Sequence, residues 1–178
     1  MGTEGQSGKH WILAIDPGVT TGLCHGKLDT TASTLTVRPE QDKYSPNELL
    51  NLLMDAVPEK HEGMLHVIYE SFQYRNASRA GLNLTPVKLI GVIELFDERY
   101  VQDDGLSHVR LYEQSPATGK AFFRDDRLKE LDIYEVGCEH GRDATRHLMQ
   151  WITFGAGSQY CDMEKIDVKR TGAVPTQE

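Results

Sequence analysis

The apolar positions of this chain fall into short, separated runs. Ile12-Leu13-Ala14-Ile15 closes at Asp16, and Leu65-His66-Val67-Ile68-Tyr69 closes at Glu70. Runs of this length, bounded by turn formers, predict buried strands over residues 11–16 and 65–69. Two alternating stretches, 23–27 and 35–38, predict further strands that form an antiparallel meander with the first. Ser45-Pro46-Asn47-Glu48 reads as a capping box with proline at the first helical position. The helix it opens carries Leu49, Leu50, Leu52, Leu53 and Val57 on its apolar side and ends over 58–63. Thr85-Pro86 opens a second helix, with Val87, Ile90, Val92, Ile93, Leu95 and Phe96 as a broad apolar face. A fifth strand is predicted over 108–112 and a densely charged helix over 117–131. A strongly patterned helix is predicted over 140–154, stopped at Gly155-Ala156-Gly157. From Glu164 onward the chain is polar and is expected to fray. The order predicts an α/β protein: a mixed five-stranded sheet, its first three strands antiparallel and its later ones parallel, with helices on both faces. One domain over 11–157 is expected, with a flexible segment at 1–10 and a polar tail at 158–178.

At 178 residues there is room for one sizeable core. No run approaches a membrane span, and the polar, glycine-rich opening MGTEGQSGKH is not a signal peptide. Cys24, Cys138 and Cys161 form no CxxC pair, which favours a reducing, cytoplasmic setting over a disulfide scaffold or structural zinc. The net charge of −8 argues against nucleic acid as a partner unless basic residues are gathered locally. Two segments are so gathered. Residues 71–96 carry Arg75, Arg79 and Lys88 against Glu94, with Phe72 and Tyr74 beside them. Residues 117–129 carry Lys120, Arg124, Arg127 and Lys129 against Asp125 and Asp126. Aromatics beside a basic loop can stack on exposed bases.

The candidate chemistry sits where the strands end. Ligand sites of open α/β sheets form at the carboxyl ends of strands. Asp16 and Glu70 both sit there, and if their strands are neighbours the two charges repel unless a cation or a proton holds them together. Oxygen ligands without a cysteine or histidine cage point to Mg²⁺ or Mn²⁺. On the last helix His140, Asp143 and His147 share one face, at i, i+3 and i+7. Each acid alone has a plainer reading: Asp16 as a turn former, Glu70 as a solvated edge residue, Asp143 as the partner of Arg146 or His147. Gly18 and Gly22 permit a tight reversal after Asp16, with Thr21 expected to satisfy the turn and Thr20 able to reach a phosphate oxygen.

In combination, IDPGVTTG with a following hairpin, VIYESF, QSPATGKAF and HGRDATRHLMQW resemble the RuvC-like Holliday junction resolvases of the RNase H-like superfamily, the bacteriophage branch in particular. The resemblance covers most of residues 11–157. It implies an RNase H-like fold and two Mg²⁺ (or Mn²⁺) ions per active site. Asp16 would bridge them, Glu70 would bind one and Asp143 the other. His140 would stand where many members carry a fourth acid, and His147 behind the ligands. It also implies hydrolysis of branched, four-way DNA to 5′-phosphate and 3′-hydroxyl ends by a homodimer in a bacterial or phage-infected cytoplasm. Phe72, Tyr74, Arg75, Arg79, Lys88, Lys120 and Arg124 would contact the DNA, with Lys120 near the cut. The apolar helix 86–96 would lie at the dimer interface or in the core. Two alternatives stay open: a broader nuclease acting on flaps or RNA–DNA hybrids, and an actin-like phosphate-binding ATPase, which Asp-x-Gly-x-x-x-Gly also suggests.

Overall fold

A computed structural model describes residues 8–72 and 83–171. Six strands form one sheet in the order β5-β4-β1-β2-β3-β6. β1 (Lys9–Asp16), β2 (Thr21–Asp29) and β3 (Thr34–Asp42) are the expected antiparallel meander. β4 (Met64–Glu70) lies parallel to β1, and β5 (Val109–Gln114) parallel to β4. The expected five-stranded sheet is therefore short by one: β6 (Asp167–Arg170) pairs parallel with β3 and closes the other edge. Three of its four residues are charged and exposed, and only Val168 packs partly against the core, so no alternation marks them.

Alternation of side chains across the sheet divides the core in two. Leu13, Ile15, Leu23, Leu65, Val67 and Tyr69 face α1 (Pro46–Asp55) and α2 (Thr85–Phe96), which bring Leu49, Leu53, Leu89, Ile93 and Phe96. Ile12, Ala14, Cys24, Leu28, Leu35, Val37 and Ile68 face the other way, onto Ala144, Leu148, Met149, Trp151 and Ile152 of α5 (Glu139–Phe154). Helices thus cover both faces. The start of α1 is as the sequence predicts: Ser45 Oγ accepts from the Glu48 amide while the Glu48 carboxylate accepts from the Ser45 amide. α2 buries only Leu89, Ile93 and Phe96, leaves Val87 and Leu95 exposed, and continues as a π-helical turn through Asp97–Asp103.

The single helix expected over 117–131 is two. α3 (Pro116–Phe122) and α4 (Asp125–Glu130) are separated where Phe123 turns inward and Arg124 takes an extended, N-capping conformation. Among the described residues no helix is long and apolar enough to cross a membrane.

Candidate active site

β1 and β4 are direct parallel neighbours, paired Ile15 to Tyr69. Their last residues, Asp16 and Glu70, therefore emerge side by side at the carboxyl edge. The turn after Asp16 is held by Thr21, whose hydroxyl donates to the Gly18 carbonyl at 3.1 Å. Thr21 is fully buried, in keeping with its expected structural part.

The third and fourth groups come from α5, and a pair of glycines lets that helix approach. A Cβ on Gly22 would lie 1.9 Å from the His140 carbonyl oxygen. One on Gly141 would lie 2.3 Å from Cys138 Sγ and 2.7 Å from the Glu40 carbonyl oxygen. Backbone thus meets backbone where α5 crosses β2 and β3. Gln41 fastens the crossing, its Oε1 accepting from the His140 amide at 3.0 Å and its Nε2 donating to the Gly137 carbonyl at 3.3 Å.

So positioned, His140 Nδ1 stands 3.1 Å from Asp16 Oδ2. One turn on, Asp143 takes Lys120 Nζ at 2.9 Å on one oxygen and Arg146 on the other. Arg146 also pairs with Asp125 and donates to the Phe123 carbonyl, so the break between α3 and α4 is tied to α5. His147 is buried, its Nε2 2.8 Å from Glu70 Oε2 and its Nδ1 2.8 Å from Gln114 Oε1. Gln114 ends β5, next to Glu70 in register.

The acids feel one another. Burial, then the charge of Glu70, then that of Asp143, push the Asp16 carboxyl above its ordinary value, and the hydrogen bond from His140 offsets part of this. Lys120 is held above its ordinary value first by its hydrogen bond to Asp143, with the charges of Asp143, Glu70 and Asp16 adding to it. Asp16, Glu70, His140 and Asp143 are therefore brought together at one edge of the sheet. Each carboxylate is turned onto a basic partner, and among the described residues no three such side chains stand close enough to cage a metal as they are placed. The donor chemistry still fits a hard divalent cation, since three carboxylates gather here and the like charges of Glu70 and Asp143 crowd Asp16.

Two shallow clefts flank the cluster. Pro17, Glu70, Phe72, Pro86, Pro116 and Lys120 are among the residues bordering one of about 300 Å³. Lys120, Arg124, Arg142, Asp143 and Arg146 are among those lining one of about 380 Å³. Phe72, Lys120 and Arg124 are thus brought to the acids. Lys88 sits on the exposed side of α2 and lines neither cleft. Tyr74, Arg75 and Arg79 lie outside the described residues. Gln41, Gln114, Arg142 and Arg146 were not singled out from sequence as members of the site. Gln114 falls in the quoted QSPATGKAF segment and Arg142 and Arg146 in HGRDATRHLMQW, but the partners of Gln41 and Gln114 lie 33 or more positions away along the chain.

This sheet order, with acids at the ends of β1 and β4 and on the last long helix, is the RNase H-like architecture. More narrowly it is the RuvC-like resolvase fold. Among solved structures, Thermus thermophilus RuvC superposes with a TM-score of 0.50 at 17% identity, over 79% of this chain and 94% of that one. The yeast mitochondrial Holliday junction resolvase Ydc2 superposes with a TM-score of 0.52 at 14% identity, over 84% of this chain and 80% of that one. No family model and no curated relative matches the sequence.

Proposed function

We propose that this protein is a divalent-metal-dependent endonuclease that resolves four-way and other branched DNA. The observation that carries the reading is the convergence of Asp16, Glu70 and Asp143 at one edge of this fold, next to Lys120. The description of one structural neighbour as a Holliday junction resolvase supports it.

In this reading Asp16, Glu70, Asp143 and His140 would hold the divalent cations. Mg²⁺ or Mn²⁺ bound there would supply positive charge for activating a water and stabilising the leaving 3′ oxygen. The chain's own part is placement. The Gly22–Gly141 contact sets His140 against Asp16, and His147 sets Glu70. Arg146 is largely buried and anchored three ways, whereas the Lys120 side chain is 59% exposed. Lys120 is therefore the cation able to exchange Asp143 for a phosphate oxygen. Phe72 and Arg124 would meet the DNA on either side of the cut, and Tyr74, Arg75, Arg79 and Lys88 would extend that surface. The products would carry 5′-phosphate and 3′-hydroxyl ends.

A four-way junction has two-fold symmetry, so paired nicks need two active sites and a C2 homodimer is the matching assembly. The exposed Val87 and Leu95 of α2 are the proposed apolar contact.

The test is a substrate panel: four-way junction, flap, linear duplex and RNA–DNA hybrid, each with Mg²⁺, Mn²⁺ or EDTA. Preference for the junction, abolished by EDTA, is expected. Equal cutting of flap or hybrid would move the function to a broader nuclease. Nucleotide hydrolysis without any nuclease activity would overturn the reading.

A further inference from the structure

The Gln114–His147 pair has no part in the chemistry above except through Glu70, yet its geometry is unusually complete. His147 is 1% exposed, on the α5 face that packs against the sheet. Both of its ring nitrogens have an oxygen at 2.8 Å: Gln114 Oε1 at Nδ1 and Glu70 Oε2 at Nε2. Gln114 is itself pinned, because its Nε2 donates to the backbone carbonyl of His147 at 3.3 Å. That carbonyl can only accept, so the NH₂ end of the amide must face it. The oxygen end then faces Nδ1, and Nδ1 must carry a proton. Nε2 is then the ring nitrogen aimed at Glu70 Oε2, at 2.8 Å. The orientation of the Gln114 amide and the role of Nδ1 are thereby assigned from one backbone oxygen outward.

From this we infer that Gln114 and His147 are positioning residues: a buried relay from the end of β5 through α5 that fixes the rotamer of Glu70 and occupies its Oε2. Oε1 is left without a hydrogen-bond partner among the described residues. The relay spans three elements, β5, α5 and β4, so it also locks the register of α5 against the carboxyl edge of the sheet. Groups behind a ligand that fix its orientation typically change metal affinity 10- to 100-fold when removed. This inference rests on the reading of Glu70 as a metal ligand, while the proton arrangement stands apart from that reading.

The experiment therefore has two arms. In the first, nitrogen-15 NMR of the wild-type protein reads the His147 ring directly, with Gln114→Leu as the comparison. A protonated Nδ1 with a strongly hydrogen-bonded Nε2 is expected, with the Nδ1 signal moving in Gln114→Leu. An unprotonated Nδ1, or no response to the substitution, would overturn the relay. In the second, Mn²⁺ binding is followed by calorimetry on wild type, Gln114→Leu and Gln114→Glu, with thermal melts alongside. Affinity should fall roughly 10- to 100-fold in Gln114→Leu and recover in part in Gln114→Glu, which keeps an acceptor facing Nδ1 but sets a second oxygen, in place of the NH₂ group, against the His147 carbonyl. Unchanged affinity in Gln114→Leu would refute the positioning role. No Mn²⁺ uptake by wild type would instead overturn the metal reading, and with it the positioning role, while leaving the NMR result to stand.

Discussion

Replacing Gly22 by alanine puts the account under its sharpest strain. Gly22 pairs with Asp16 across β1 and β2, and the start of α5 rests on it. The new methyl carbon would meet the His140 carbonyl oxygen at 1.9 Å and its carbonyl carbon at 2.1 Å, both of them backbone atoms that no rotamer change can move aside. An ordinary contact begins near 3.4 Å, so α5 and β2 must separate by roughly 1.5 Å at this point. Overfilling a packed contact costs about 1–3 kcal/mol. For a chain of this length that lowers the melting temperature by roughly 2–12 °C. The same separation exceeds the slack in the 3.1 Å contact between His140 and Asp16. A misplacement near 1 Å can lower a reaction rate by about 10²-fold. Thermal melting by circular dichroism and single-turnover junction cleavage, well below the melting point, read the two effects separately. Gly91→Ala is the control: it lies exposed in α2, a Cβ there meets nothing within 4 Å, and a gain of about 0.5–1 kcal/mol is expected. A Gly22→Ala protein that melts and cuts like wild type would refute the claim that this backbone contact sets the site.

Three further outcomes follow from the same structure. Glu70→Gln keeps a hydrogen bond to His147 but removes the charge, and should slow cleavage by roughly 10²- to 10³-fold with little change in melting, checked by single-turnover kinetics and calorimetry. His66 is fully buried, and burial first, then the charges of His10 and Arg110, lower its pKa to about 3. A base whose folded pKa is depressed leaves the folded state with fewer protons, so stability holds above about pH 6.5 and falls by up to ~1.4 kcal/mol per unit as pH drops from there toward 3. Urea unfolding of wild type and His66→Phe between pH 7 and 5 should show a steeper loss in wild type, and parallel slopes would contradict the assignment. Ser45→Ala removes both the side-chain cap of α1 and its place in the capping box, and should cost about 1 kcal/mol in the same denaturation assay.

Much of the fold is legible in the sequence because its signals are local. Apolar runs of strand length ending at Asp16 and Glu70, the Ser45–Glu48 box and the patterned helix ending at Gly155 each carry their own boundary. The parallel pairing of β1 and β4 follows from the helix between them, and it brings the two acids together. What escaped is either too short or too distant along the chain. β6 is four residues on an edge, with Val168 alone packed partly against the core, too short to show an alternation. The break at Phe123 and Arg124 reflects a side chain drawn into the core and a tie to Arg146, which no local periodicity records. Gln41, Gln114 and the Gly22–Gly141 contact join residues between 33 and 119 positions apart, so their roles exist only once the sheet and α5 are assembled.

On the proposed function, the acids gathered around Asp16 cut branched DNA. The most direct measurement maps, at nucleotide resolution, the nicks that wild type and Asp16→Asn make in a four-way junction with Mg²⁺. Paired, symmetric nicks bearing 5′-phosphate ends, present in wild type and lost in Asp16→Asn, are the predicted result. Nicking that persists undiminished in Asp16→Asn, or a wild-type protein that leaves the junction intact, would contradict it.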